Sequence, residues 1–512
     1  MKRLLSCAVV VLLVLTGAGC FGGDSSVRVR VLASPELRDL EPLLEELREE
    51  RGIRVELDYR PTVDLGDTLA EGTGGHDFAW PSSDGYLKLL LRDRKPPRNL
   101  PPSTPIMTSP VVIGVTAEVG RKLAARAQTP TWATVADLAA TGDLRFAMGD
   151  PVHSGTGLAA LVGVATAAAG TGQALRADDV RCDRLSGFWQ GHAVATDSSA
   201  AAAGQFVQPG PLNGLIATES VLLKLNASGT LPEPLQIVYP ADGIVLADHP
   251  LLLLNDKQRT TYDTVVEWLR TERAQRWIMD KTARRPVNPD VPRSERLARP
   301  VGTALYYPDD LSVVRKLQEN YRKQGTPDLS HRYVVFVLDY SGSMREQIDA
   351  LRSAFRELTS PSTGSFVRFY LGERIRVIRF ADQVLEQRDF TFPGDTAELE
   401  KTIGATDFGE NTAIWSAVDT AYAAGADLRR SAPGSQVSVV LMTDGRNNNG
   451  MSATDFLAAQ RTRGTVGPLL AIRFGDADPA ELSRVAGDTG GSVVDATGRS
   501  LADAFKETRG CF

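Results

Sequence analysis

Apolar positions change period twice within "SVRVRVLASPELRDLEPLLEELREERGIRVELDY", the stretch from Ser26 to Tyr59. Val27, Val29 and Val31 alternate with Arg28 and Arg30, the period-two pattern of a half-buried strand. Ser34 followed by Pro35 reads as an N-cap with proline at the first helical position. Leu37, Leu40, Leu44 and Leu47 then share one helical face, with Pro42 placed to kink it, and Gly52 closes the helix. Ile53, Val55, Leu57 and Tyr59 alternate again, so the unit is strand, helix, parallel strand. "SPVVIGVT", "LRFAMGDP" and "LQIVYP" predict further strands with helices between them.

A different pattern governs "RYVVFVLDYSGSMREQ", from Arg332 to Gln347. Its apolar run is continuous, which predicts a strand buried on both faces of a parallel sheet. Ligands of such sheets sit at the carboxyl ends of the strands, where this run gives way to an aspartate, two serines and a glycine. Ile348, Leu351, Phe355 and Leu358 lie on one face of the helix that follows. "RIRVIRFAD", "SQVSVVLMTDGRNNNG" and "GPLLAIRFGDADP" supply three more strands. The expected architecture of this half is a doubly wound, Rossmann-like α/β sheet, with Asp339 and Asp444 converging on one edge.

The N-terminus sets the compartment. "MKRLLSCAVVVLLVLTGAGC" carries Lys2 and Arg3, then an apolar stretch of about a dozen residues, too short for a bilayer and suited to a signal-peptide core. Small residues then lead to Cys20 and a tether-like "FGGDSS". The remaining chain, roughly 490 residues, is too long for one core and implies two or three domains. A net charge of −6 argues against nucleic acid, which needs a basic face. The five histidines are scattered with no pair at metal-ligand spacing. Once Cys7 leaves with the signal, Cys182 and Cys511 are the two cysteines besides Cys20, and an oxidising compartment allows them to pair or to remain free thiols. Between the halves, "PDVPRSERLARPVGTALYYPDD" and the basic helix candidate "LSVVRKLQENYRKQG" read as a packed or solvated connector.

Two places carry candidate chemistry. Ser154, Gly155, Thr156 and Gly157 stand between a strand and a long Ala-rich helix, where free backbone N–H groups and hydroxyls make an anion site or a plain N-cap. In the second half, Asp339 and Asp444 bring two carboxylates together, and without a cation one of their pKa values must rise. Ser341 and Ser343 add neutral oxygens, and Thr412 in "DFGENTAIWSAV" offers a third hydroxyl. Hard oxygen donors with few carboxylates suit Mg²⁺. A haloacid-dehalogenase-type phosphatase would need a second aspartate that "DYSGSM" lacks, and "DGRNNNGMSATD" misses EF-hand spacing. No nucleophile elbow or Walker-type phosphate loop occurs, so no enzyme activity is expected.

Three resemblances extend this reading. The approach to Cys20 resembles the lipobox of bacterial lipoproteins, although Gly17 stands where that family prefers leucine; an ordinary secretory signal is the alternative. The resemblance implies lipidation at Cys20 and a place on the extracytoplasmic face of the cell membrane. Residues from about Val27 to Val291 resemble two-lobed, type 2 periplasmic solute-binding proteins, on "TPIMTSPVVIGV", "DPVHSGTGLAAL", "GPLNGLIATES", "IVYPADGIVLADHPLLLLN" and "RRPVNPDV" in that order. That implies a cleft whose ligand contacts fall on Ser154 and Thr156, and more loosely on Ser34, Ser82, Ser83 and Glu219. Asp339, Ser341 and Ser343, then Thr412, then Asp444 resemble the metal-ion-dependent adhesion site of the von Willebrand factor A (VWA) family. It implies one Mg²⁺ or Mn²⁺ ion whose coordination an acidic side chain of a partner protein completes. "GENT" departs from that family's second glycine before the threonine, and Asn411 is the residue expected to tolerate a positive φ there.

The expected organisation is a signal peptide at 1–19, a tether at 20–26, a two-lobed solute-binding domain at 27–300, a linker at 301–330 and a VWA domain at 331–510. Two functions remain open. Either solute capture is primary and the VWA domain recruits a partner, or the VWA domain serves adhesion or assembly on a ligand-free scaffold. A disulfide between Cys182 and Cys511 would clamp the two domains together.

Overall fold

A computed structural model describes residues 26–170, 172–180, 185–323, 332–360, 363–364, 366–370, 372–464 and 466–510. Cys20, Cys182 and Cys511 lie outside the described residues, and with them the expected lipidation and disulfide.

The first lobe is built on a five-stranded sheet in the order Ile53–Tyr59, Val27–Ala33, Phe78–Trp80, Pro250–Leu253, Ser103–Pro105. The first two strands of this order are parallel, as the switching periods predict; Phe78–Trp80 adds a third parallel strand, and Pro250–Leu253 is antiparallel to its neighbours. The helix after Val27–Ala33 is split: a 3₁₀ turn, Pro35–Leu40, runs into an α-helix, Glu41–Arg51, with Pro42 in its first turn. Proline there gives up no intrahelical hydrogen bond, so it opens a second helix where a kink is expected from the sequence. Gly52 ends that helix at φ 64, in the left-handed region.

Three crossings join the lobes. The chain passes from Ser103–Pro105 into Met107–Val115 of the second sheet, returns between Leu246–Ala247 and Pro250–Leu253, and crosses again at Arg285–Pro286. The second sheet runs Leu246–Ala247, Met107–Val115, Gly214–Thr218, Phe146–Gly149, His192–Thr196, with Gln236–Val238 and Arg285–Pro286 also paired to Met107–Val115. The helix Gly155–Ala169 packs on it, buried on nearly every side along its first three turns.

The stretch expected to be a linker is packed. Its helix Leu311–Lys323 buries Leu311, Val313, Val314 and Leu317 in an apolar cluster that lobe two shares with Val63, Tyr86 and Leu90 of lobe one, and Gln318 Nε2 donates to the Pro151 carbonyl at 3.0 Å. Phe366 of the C-terminal half joins the same cluster, and the Arg332 guanidinium donates to the Ser186 hydroxyl.

The C-terminal sheet has the order Val384–Thr391, Arg374–Phe380, Arg332–Asp339, Gln436–Thr443, Leu469–Arg473, Ser492–Asp495. It is parallel except for the edge strand Val384–Thr391. Val334, Phe336 and Leu338 feed a core on one face; Tyr333, Val335 and Val337 feed the core on the other. Two-sided burial is why the run has no alternation. From Arg332–Asp339 the chain steps to one neighbour and later returns to the other, Gln436–Thr443. The topological switch point therefore lies between these two strands, at their carboxyl ends.

Candidate functional site

Asp339 ends its strand fully buried at the switch point. Its Oδ1 accepts the Ser341 N–H at 2.8 Å and its Oδ2 accepts the Thr443 hydroxyl at 2.6 Å. The Ser341 and Ser343 hydroxyls lie 3.3 Å apart, and Ser343 Oγ donates to Asp444 Oδ1 at 2.8 Å. Four of the five residues expected at a metal are thus linked in one hydrogen-bonded set.

Thr412 arrives from the other side. Its N–H donates to Asn448 Oδ1 at 2.8 Å and its carbonyl accepts the Asn448 N–H at 3.1 Å. A Cβ placed on Gly445 would lie 3.4 Å from Thr412 Oγ1, so the hydroxyl faces the glycine after Asp444. Asn448 is a positioning residue that the sequence reading missed, because its segment was weighed only against EF-hand spacing. Asn411 does not take the positive φ expected of it. Among the described residues only His249 and Ala283 are non-glycine positions with positive φ. Asp382 holds the "GENT" loop instead, accepting the N–H groups of Glu410 and Asn411 at 3.0 and 3.1 Å and Asn411 Nδ2 at 2.6 Å.

Burial pushes the Asp339 carboxyl up to about 6, against hydrogen bonds from Thr443 and Ser341, and the Asp444 charge adds to the rise. Burial raises Asp444 too, with Asp476 contributing. The two arginines of these loops are engaged elsewhere: Arg345 lies over the Phe408 ring, and Arg446 Nε donates to the Asp476 carbonyl. Among the described residues no group of three or more His, Cys, Asp or Glu could hold a metal. The switch-point set is of another kind, two carboxylates with hydroxyls.

In the cleft between the lobes, Ser154 caps its helix by accepting the Gly157 N–H at 3.3 Å. Thr156 Oγ1 donates to Glu36 Oε1 at 3.3 Å, across to lobe one. The same oxygen accepts the Ser199 N–H at 2.7 Å, at the start of the helix Ser199–Phe206. Ser34 caps the turn that carries Glu36. Ser82 and Thr62 share a 2.9 Å hydrogen bond, and Ser82, Ser83 and Thr156 line a small cavity of ≈ 20 Å³ in the cleft. Glu219 is not among its lining residues. Its carboxylate, 0 % exposed, is held by Arg285 at 2.7 Å through both oxygens and by the Tyr239 hydroxyl, which fastens a crossing strand to lobe two. Glu36 and Ser199 were missed from sequence.

Two lobes joined by three crossings, followed by a doubly wound sheet with carboxylates and hydroxyls at its switch point, define a two-lobed α/β domain with an appended Rossmann-like domain. Residues 29–281 match the family of bacterial extracellular solute-binding proteins, and residues 334–507 match the von Willebrand factor type A domain. The chain is a fusion of these two domains, and the first family places it outside the cytoplasm. No helix among the described residues is long and apolar enough to cross a membrane. No curated protein matches. Solved structures similar to part of the chain include the ferric binding protein from Campylobacter jejuni, at 13% identity and TM-score 0.42, covering 57% of this chain and 97% of that one. A periplasmic thiamin binding protein aligns at 12% identity and TM-score 0.45, over 58% and 96%. The sulfate-binding protein SubI from Mycobacterium tuberculosis H37Rv aligns at 18% and 0.40, over 56% and 96%. The solutes named there belong to those proteins.

Proposed function

We propose that this is a lipid-anchored, non-enzymatic envelope protein whose VWA domain docks a partner protein through one Mg²⁺ or Mn²⁺ ion. The observation that carries the reading is the hydrogen-bonded set of Asp339, Ser341, Ser343 and Asp444 at the switch point, with Thr412 facing it. Two buried carboxylates with raised pKa values are the groups that a divalent cation would relieve. Neutral hydroxyls complete a hard donor set of low charge, which suits an ion that keeps part of its shell open. Asp339, Ser341, Ser343, Thr412 and Asp444 would hold the ion, and an acidic side chain from the partner would complete it. The ion supplies the attraction for that carboxylate; the protein supplies the geometry and keeps the loop arginines away.

Mn²⁺ titration followed by electron paramagnetic resonance tests this on the purified chain. Wild type should show one bound ion. Asp339→Ala should lose it with unchanged far-ultraviolet circular dichroism, and chelator should release any partner captured in Mg²⁺. Equal Mn²⁺ binding by both chains overturns the reading.

For the solute-binding domain a second reading, that of a scaffold, is favoured by the cavity of ≈ 20 Å³. A single ordered water needs about 10–15 Å³ on the same measure, so there is room for little more than that.

A further inference from the structure

The lobes meet through more than their crossings. The Val63 N–H donates to the His153 carbonyl at 2.9 Å, His153 Nδ1 pairs with Asp64 at 2.8 Å, and Lys224 reaches Asp39 at 2.8 Å. Each joins a lobe-one residue to a lobe-two residue. Tyr307, from the connector, closes one side of the small cavity.

At the centre of this contact stands Glu36. It is 7 % exposed, and its Oε1 takes one donor from each of two helix starts, Thr156 Oγ1 and Ser199 N–H. Unpaired N–H groups and the helix dipole make such starts attractive to an oxyanion. Ser199 is fully buried, and its hydroxyl lies beside the same carboxylate but outside hydrogen-bond geometry, so a donor is left over in the seat. Arg284, itself 2 % exposed, donates to the Glu36 carbonyl and, at 2.8 Å, to Asp39, and this draws the Glu36 turn toward the crossing.

We infer that Glu36 is a built-in ligand: its carboxylate occupies an oxyanion seat formed by the starts of Gly155–Ala169 and Ser199–Phe206 and holds the lobes closed without a solute. The seat is selective for a carboxylate or a similar oxyanion, since the donors facing it are an N–H and hydroxyls. In this protein the group that fills it arrives on the first lobe, so closure is intramolecular. A tethered occupant has a high effective concentration, and a free solute must open the lobes to compete with it.

This deepens the scaffold reading and is independent of the metal reading, because its test contains no divalent cation. Acetate is the probe, compared with sodium chloride at equal ionic strength. Wild type should show a small radius of gyration by X-ray scattering and a thermal midpoint indifferent to acetate. Glu36→Ala should expand and melt lower, and acetate should restore both properties toward wild type, because a ligand that binds only the closed native state stabilises it. A Glu36→Ala chain indifferent to acetate overturns the role of Glu36 and leaves the scaffold reading standing; acetate stabilisation of wild type to the same extent overturns both. Glu36→Ser, which keeps a polar side chain but is too short to fill the seat, covers an alanine chain that does not fold. It should expand relative to wild type and contract with acetate, and a serine chain as closed as wild type and indifferent to acetate overturns the inference.

Discussion

Two side-chain pairs show how much single residues carry. Glu373 and Arg509 are almost fully buried and meet through two hydrogen bonds of 2.9 Å, with a further bond from Arg509 to the Arg368 carbonyl at 3.0 Å. The tail is thus fastened by an ion pair two residues before Cys511, the residue from which a clamp was expected. Removing one member strands the other's charge, so Glu373→Ala should cost about 3–5 kcal/mol in urea unfolding of the C-terminal domain. A loss below about 1 kcal/mol would show that water reaches Arg509. His153 is a gentler case. Its hydrogen bond to Asp64 holds the imidazole pKa above its ordinary value, with Asp150 adding to the rise and burial and Arg322 opposing it. A raised histidine stabilises fully below its unfolded pKa and loses that contribution as pH rises through the folded one. The thermal midpoint of His153→Gln should therefore fall furthest below wild type under about pH 6 and approach it above about pH 8. A gap that widens with pH would mean the pair does not act as an ion pair.

At the level of elements, the helix start at Gly155 works because glycine brings the lobes together. A Cβ at Gly155 would lie 2.4 Å from Ser82 Oγ and 2.8 Å from Thr62 Cβ, both on lobe one. At Gly157 it would lie 2.1 Å from the Gly149 carbonyl oxygen, within lobe two. The same motif thus serves two contacts. Gly155→Val should wedge the cleft: X-ray scattering should show an enlarged radius of gyration with unchanged helix content, at a cost of about 1–3 kcal/mol. An unchanged radius would mean that Thr62 and Ser82 yield instead. The strand Arg332–Asp339 was legible as a doubly buried element because nothing polar interrupts it. The antiparallel edge strand Val384–Thr391 was not, since its exposed face carries charges that any surface segment can carry.

For the whole molecule, the connector decides where the first domain ends. Leu311, Val313, Val314 and Leu317 belong to an apolar cluster shared by the two lobes, and the carbonyl of Ile244 accepts the Leu305 N–H at 2.9 Å. A chain ended at Pro300 should expose this apolar face, bind 1-anilinonaphthalene-8-sulfonate and self-associate. One ended at Lys323 should do neither. Light scattering and dye fluorescence compare the two, and equal behaviour would show that the helix only rests on the surface.

What the sequence settled is what local pattern can settle. Period and punctuation marked the strand–helix units, and polar residues after long apolar runs marked Asp339, Ser341, Ser343 and Asp444, because a strand end in a parallel sheet is where chemistry gathers. Thr412 was read as a further hydroxyl ahead of a helix, and the structure adds Asn448 as the group that brings it to the Asp444 loop. The cleft lay beyond such reading. Thr156 and Ser199 stand 120 and 163 positions from Glu36, and no periodicity reports a contact across that separation. Only the packing of two lobes decided that a glutamate in an ordinary helical turn would become the occupant of the seat between them, since a buried carboxylate must find donors and the helix starts of the other lobe are where the fold leaves them.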